Sequence, residues 1–359
     1  MFSFTIESAI YLRMRKNFIL HLFIGGFYIL LLTPQNTYAQ EKDGIERSAF
    51  WGNSEKYLNR QAFKMFDLID QALTENPPVI GAPMNRKLAL YNLDAMLHET
   101  KYDNGEPLGN FIASRMNKVI ADLSSPVKKG MKVYKIYNEG IVARTASVTL
   151  AFDLARGWCQ GKTLLPDDLV QQIVDRCDIL FLTHNHGDHV DPVVVDMFLK
   201  AGKPVVAPTN ILPDKKEILH ERSHEMIDKK IDLNNNKYIC VKIFPGNQDN
   251  LMNNIYVVTT AEKKTIAHVG DQYNKEDMEW IVKIKQHIPR PDALVVNCWT
   301  HRMNDLVNGF NPKLVITGHE NEMGHTIDHR EAFWLTFEKM EKISKDYTVM
   351  GWGEWFHCR

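Results

Sequence analysis

The chain has 359 residues, is 44% hydrophobic and 24% charged, and uses every ordinary residue type, a globular composition with room for one large domain and an accessory region. A formal net charge of -1, with no long Lys/Arg block, argues against nucleic acid or an anionic membrane surface as a partner. Five widely spaced cysteines (Cys159, Cys177, Cys240, Cys298 and Cys358) form no C-x-x-C pair, which argues against a zinc knuckle or redox motif and fixes no disulfide pairing.

Residues 1–39 read as an export signal. Arg13, Arg15 and Lys16 precede an apolar run from Phe18 to Leu32, and Thr37-Tyr38-Ala39 supplies small residues at a cleavage position. The run is short for a membrane span, which needs roughly 20 apolar residues. A periplasmic or secreted protein with no span left after signal removal is therefore expected, with an uncleaved signal anchor as the alternative. No cysteine directly follows the run, so a lipoprotein anchor is not expected.

Residues 40–128 read as a helical accessory segment. Tyr57, Leu58, Ala62, Met65, Phe66, Ile69 and Leu73 recur at helical spacing, and Asn76-Pro77-Pro78 stops that helix. Two further helices are predicted near Arg86 to His98 and Phe111 to Leu123. The pattern changes at Lys132, where residues 129–359 take on an α/β character. Strands are predicted at Lys132 to Tyr137, Ile141 to Arg144 and Ser147 to Asp153, with a turn at Asn138-Glu139-Gly140. A helix over Pro166 to Arg176 then precedes a buried strand at Asp178 to Leu182. Later strands are predicted at Pro204 to Ala207, Ile239 to Phe244, Ala293 to Val296 and Lys313 to Thr317, with a hairpin from Ile255 to Val269.

Chemistry concentrates in Thr183-His184-Asn185-His186-Gly187-Asp188-His189-Val190-Asp191, directly after the buried strand. Imidazole nitrogens and a carboxylate in so short a stretch suit zinc and similar divalent ions. His184 and His186 are placed to grip one ion, and Asp188 and His189 turn toward a second.

This segment resembles the His-x-His-x-Asp-His signature of the metallo-β-lactamase superfamily, and further landmarks follow in order. Ser147 to Asp153 looks like the strand before the metal loop. Thr265-Ile266-Ala267-His268-Val269-Gly270-Asp271 looks like the strand-Gly-Asp element, and Leu314-Val315-Ile316-Thr317-Gly318-His319 like the late strand that delivers the last histidine. The His-Val-Gly-Asp form is most similar to the branch that includes ascorbate-phosphate lactonase-like and N-acyl-phosphatidylethanolamine phospholipase-like enzymes.

The resemblance implies a four-layer αββα sandwich behind the helical front, and a metal-dependent hydrolase acting on a phosphodiester or lactone/ester. The substrate would be a small-molecule or lipid-like compound, and the cofactor one or two Zn2+ ions, with Mn2+ or another divalent metal as alternatives. His184 and His186 would bind the first metal; Asp188, His189 and His319 the second, with Asp271 bridging. Asp188 would also act in catalysis, and Asp191 would orient a ligand imidazole. Asp153 reads equally well as strand-end structure. The superfamily's usual third histidine for the first metal has no counterpart here: the matching segment, Val241 to Asp249, offers Asn247, Gln248 or Asp249. Three readings stay open, namely a weakened first site, His268 filling the gap, or Asp249 reaching in. A non-catalytic metal- or ligand-binding module is the alternative function. His325 and His268 are candidate substrate contacts, as is His301 at the rim. A helix is expected to start near Asp328, leaving His329 on the surface, and Trp352, Trp355 and Phe356 are expected in packing.

Overall fold

The structure, a computed structural model, describes residues 50–103 and 105–359. The expected export signal lies outside them. Among the described residues no helix is long and apolar enough to cross a membrane.

Three helices come first among the described residues: α1 (Ser54–Glu75), α2 (Met84–Leu97) and α3 (Glu106–Leu123). The α3 helix starts before Phe111 because Pro107 sits in its first turn, where a missing N–H costs nothing. Next come β1 (Met131–Lys135), β2 (Ile141–Arg144), β3 (Thr149–Phe152), a small ribbon of β4 (Trp158–Cys159) and β5 (Lys162–Thr163), then α4 (Asp167–Arg176) and β6 (Ile179–Phe181). They are followed by α5 (Pro192–Lys200), β7 (Val205–Ala207), β8 (Leu219–His220), β9 (Ile227–Asp232), β10 (Tyr238–Gln248), β11 (Leu251–Thr260) and β12 (Thr265–His268). The chain closes with α6 (Met278–Ile281), β13 (Ala293–Asn297), α7 (Met303–Phe310), β14 (Val315–Gly318), α8 (Phe333–Met340), β15 (Tyr347–Thr348) and β16 (Glu354–Cys358).

Two 7-stranded sheets result, in the orders β16-β1-β2-β3-β6-β7-β8 and β15-β14-β13-β12-β11-β10-β9. Strand side chains alternate between faces, and that alternation builds the layers. Ile141, Leu150, Phe152, Ile179 and Phe181 of the first sheet share one core with Val241, Ile243, Tyr256, Val258 and Val295 of the second. The intervening residues (Val142, Ala151, Leu180, Val257, Leu294) face the opposite way and pack in the core that contains the helices. The layers are thus helix, sheet, sheet, helix.

Two expectations need correction. The longest hairpin is β10–β11, with Gln248 opposite Leu251, because the ladder continues through Pro245 and Gly246 instead of stopping at Phe244. The helix expected near Asp328 begins at Phe333, after a single 3-10 turn at Ile327–His329. Its cap comes from elsewhere: the N–H groups of Phe333 and Trp334 donate to the Asp94 carboxylate on α2, at 2.9 and 3.2 Å. The closing strand β16 pairs antiparallel with β1, and Trp352 just before it is buried against Tyr137.

Candidate metal centre

The site gathers where strands of both sheets run out. In the first sheet β3 and β6 are parallel; in the second, β12, β13 and β14 are parallel. The chain leaving β6 enters the loop that holds His184 to His189. Asn254 N–H donates to the Thr183 carbonyl (2.8 Å) and His184 pairs with Asn253, so the loop is fastened to the second sheet. Beyond β12, Gly270 turns the chain with φ 53; an ideal Cβ there would lie 2.4 Å from Asn253 Oδ1, so glycine is required. His319 leaves β14 in the left-handed region (φ 72), an uncommon conformation for a side chain of this size.

These loops bring the predicted ligands together. His184 Nε2 lies 3.1 Å from His186 Nδ1 and 3.6 Å from Asp271 Oδ2. His189 Nε2 lies 3.3 Å from Asp188 Oδ2 and 3.5 Å from Asp271 Oδ1. His319 Nε2 lies 3.1 Å from Asp188 Oδ2 and 3.6 Å from Asp271 Oδ2. Two overlapping ligand sets follow, His184–His189–Asp271 and Asp188–His189–His319, each with its atoms within 4.8 Å of one another. His189 belongs to both, whereas the sequence had suggested only the second ion for it. His186 is solvent-exposed at the rim of the same cleft.

The protonation pattern fits a cation. Burial disfavours the charged form of His189, but Asp188, Asp271 and Asp153 outweigh it and raise the imidazole well above its ordinary range. Burial likewise opposes the charge on His319, yet Asp271 and Asp188 lift it to about 9. Burial would raise Asp271 and Asp188, but the neighbouring imidazoles hold both carboxylates far below normal. Burial and then the His189 charge push His184 down to about 3, keeping it neutral. His189 Nε2 is buried with no hydrogen-bond partner. A buried, unpartnered imidazole nitrogen between two ionised carboxylates fits a divalent ion, which supplies the positive charge otherwise carried by protons.

Asp153 sets up two of these imidazoles, a role only half legible in the sequence. It is fully buried at the end of β3, with φ 43. Its Oδ2 accepts from His189 Nδ1–H (2.9 Å) and from Thr183 Oγ1–H (2.6 Å), and its Oδ1 from Thr183 N–H (2.8 Å). Since the Thr183 proton goes to Asp153, the 3.1 Å contact between Thr183 Oγ1 and His184 Nδ1 requires His184 to donate. Both imidazoles therefore carry hydrogen on Nδ1, which would leave Nε2 of each as the atom able to hold a divalent ion.

Several candidates are placed differently. Asp191 does not orient a ligand: it caps α5 through Val193 N–H (3.0 Å) and holds Arg156 Nε at 2.7 Å. His268 cannot fill the gap, because Nε2–H donates to the Glu139 carbonyl, Gly270 N–H occupies Nδ1, and the buried ring stacks on Phe152, leaving no face for substrate. Asn247 is spent on Arg222 and Asp277, and Asp249 is exposed at the β10–β11 turn. Gln248 does reach the site, with Nε2 donating to Asp271 Oδ2 at 3.2 Å.

Three participants were missed. Asn138 Nδ2 donates to Asp188 Oδ2 (2.9 Å), and Asn297 Nδ2 to Asp271 Oδ1 (2.5 Å), so each carboxylate is held by a side-chain amide. Glu139 is buried with both carboxylate oxygens unpartnered, and burial and then the Asp271 charge raise it to about 8. The sequence signalled Asn138-Glu139-Gly140 only as a turn; that the turn abuts the metal loop is a tertiary fact.

The cleft over these atoms has a volume of about 200 Å³. Trp299 forms one wall, its ring centroid 5.5 Å from His319 and 5.6 Å from His325. Burial lowers His325, leaving it neutral at this wall. His329, expected on the surface, is largely exposed but borders the cleft, and His301 Nε2 hydrogen-bonds Tyr273 Oη at 2.7 Å beside it.

Two face-to-face sheets flanked by helices, with a His-x-His-x-Asp-His loop at one end, define the metallo-β-lactamase αββα architecture. No protein-family model and no curated protein matches the sequence. Among solved structures the chain is similar to Igni18, a metallo hydrolase from Ignicoccus hospitalis: 15% identity, 64% of this chain and 98% of that one, TM-score 0.49. A possible metal-dependent hydrolase from Veillonella parvula gives 17% identity over 64% of this chain and 100% of that one, TM-score 0.46. The isothiocyanate hydrolase from Delia radicum gut bacteria gives 15% identity over 64% and 100% of the two chains, TM-score 0.46.

Proposed function

We propose that the protein is an exported, metal-dependent hydrolase that uses zinc to cleave a phosphodiester or a lactone/ester. The observation that carries the reading is the buried, unpartnered Nε2 of His189, flanked by two ionised carboxylates and by the Nε2 atoms of His184 and His319. A divalent ion held there supplies Lewis acidity, which lowers the pKa of water from about 15.7 toward about 7.

The chain's own residues do the rest. Asp188 is the group placed to take the proton of the attacking water, since it lines the cleft; its Oδ2 is held by the Asn138 amide and faces two imidazoles. Asn138 and Asn297 restrict the rotation of Asp188 and Asp271, and Asp153 holds His189 and His184 in the required tautomer. Trp299 offers a flat apolar wall beside the reacting atoms, and among the described residues no lysine or arginine lines the cleft. Export rests on the basic, apolar and small-residue succession of residues 13–39.

The test is metal analysis of purified protein, with turnover of bis-(p-nitrophenyl) phosphate and a lactone panel, each with and without chelator. Chelator-sensitive turnover that Asp188→Ala abolishes is expected. Bound metal with no turnover on any substrate would overturn the enzyme in favour of a metal-binding module, and absence of bound metal would overturn both.

A further inference from the structure

Of the residues that stand where the superfamily's third histidine is expected, only Gln248 touches the site. It sits at the last position of β10, and that strand end is fixed: Asn247 N–H donates to Gln272 Oε1 at 2.9 Å. Gly246 beside it has no room for a side chain, since a Cβ would fall 2.1 Å from the same Gln272 oxygen. The Gln248 amide is thus delivered on a rigid segment. Its Nε2 lies 3.2 Å from Asp271 Oδ2, the oxygen that is also 3.6 Å from His184 Nε2. Its Oε1 is buried and accepts no hydrogen bond.

A buried amide oxygen with no donor is costly unless something electropositive meets it. With only protein neighbours, the amide turns its N–H toward the Asp271 carboxylate, because oxygen facing oxygen there is repulsive. A cation beside Asp271 reverses that preference, and a half-turn of the terminal torsion exchanges the two ends within the same volume. Amide oxygen is a hard ligand; it suits Mn2+ and Mg2+ better than zinc, which takes imidazole more readily.

We propose that Gln248, through Oε1, is a ligand of the metal position next to His184 and Asp271, and that it makes this position weaker for zinc and more favourable to oxygen-preferring ions than the Asp188–His189–His319 position. The inference rests on the proposed metal centre and deepens it by dividing that centre into two unequal halves. The chain then holds one zinc firmly, while its second position exchanges and accepts Mn2+.

The experiment is metal counting after exhaustive dialysis, followed by chelator-competition titrations with Zn2+ and Mn2+ and by Mn2+ EPR, on the wild type, Gln248→His and Gln248→Ala. Melting temperatures confirm that the variants fold. The wild type is expected to retain one zinc per chain and to show a second class of site at least about tenfold weaker for zinc. Gln248→His should bring that class to firm zinc retention, at two per chain. Gln248→Ala should weaken Mn2+ at the second class about tenfold and leave the firm site unchanged. Two equally firm zinc sites in the wild type, or a second class that neither substitution moves, would overturn the Gln248 assignment alone. A wild type that binds neither ion would instead remove the metal centre on which it stands.

Discussion

Asp153→Asn is the sharpest perturbation of the centre, since it changes one atom and leaves volume and backbone alone. The carboxylate accepts from Thr183 N–H, Thr183 Oγ1–H and His189 Nδ1–H. An asparagine must present an NH2 group to one side. If that group faces Thr183 N–H, two donors collide in a buried site, at a cost of about 1–3 kcal/mol. If it faces His189, the imidazole must accept at Nδ1 and carry its hydrogen on Nε2, which removes the lone pair offered to the metal. It also frees the Thr183 hydroxyl from its acceptor, so the orientation of His184 is lost with it. The metal-free protein can adopt the second arrangement but metal binding requires the first, so metal affinity should fall by roughly 10–100-fold, the usual cost of removing such an orienting partner. Competition titration of zinc against a chelator reads this directly, with melting temperature of the metal-free protein as the control for folding. Asp191→Asn is the contrast: its carboxylate serves Arg156 and the α5 cap, so metal affinity should stay within about twofold. Wild-type zinc affinity in Asp153→Asn, or a larger loss in Asp191→Asn, would refute the orientation argument.

Further expectations follow from charge and burial. Asp94 is raised from 3.8 to about 6, first by burial, so its folded-state pKa exceeds the unfolded value. The associated stability is present in full below pH 3.8 and is lost as pH rises through about 6, a swing of about 3 kcal/mol. Urea titrations of wild type and Asp94→Asn should therefore show a stability difference that shifts in favour of the variant between pH 4 and 7; a constant difference would contradict the assignment. Asp94→Ala strands Asn321 Nδ2 and the N–H groups of Phe333 and Trp334, and should cost about 2–4 kcal/mol in the same measurement. In the metal-free protein His189 is raised well above its normal range and His319 to about 9, so metal uptake at pH 7 should release more than one proton per chain. Calorimetry in buffers of different ionisation enthalpy counts those protons, and a buffer-independent heat would exclude them. For export, N-terminal sequencing of protein from an expressing bacterium should begin at or near Gln40; an intact N-terminus in the cytoplasmic fraction would exclude signal cleavage.

Much of the sheet core was legible because its strands are short β-rich runs set off by turn residues: Ile141 to Arg144 follows Asn138-Glu139-Gly140, and the prediction for that strand matches, with Ile141 and Ala143 facing one core and Val142 the other. The convergence of His184, Asp188, His189, Asp271 and His319 was legible because their segments follow the order of the landmarks they resemble, behind a buried strand. What escaped the sequence are contacts made across long separations. Asn138 signals a turn, but nothing local says that its amide reaches Asp188. The Asp94 cap lies 240 residues from Trp334, so α8 was given the wrong start. The resemblance implied Asp191 as the residue orienting a ligand and left Asp153 open; the geometry reverses this, since Asp191 caps its own helix and Asp153 accepts from His189. Edge strands β8, β9, β15 and β16 were missed because short or polar stretches such as Ile227–Asp232 carry little alternation.

The buried ionic ties between the front helices and the chain's last third bear on how far this protein can be divided. Arg330 binds Asp103 and the Leu97 carbonyl, Arg86 and Arg115 reach Glu354, and Asp94 caps the helix that follows the loop of His319 and His325. Excising residues 129–359 as a stand-alone unit would strip Arg330 and Glu354 of their partners and bare the apolar face that the front helices cover. The histidine loop is therefore not a portable module: its shape is underwritten by a segment that contributes no atom to the chemistry. Any chimera that transplants these loops must carry Arg86, Asp94, Asp103 and Arg115 along with them.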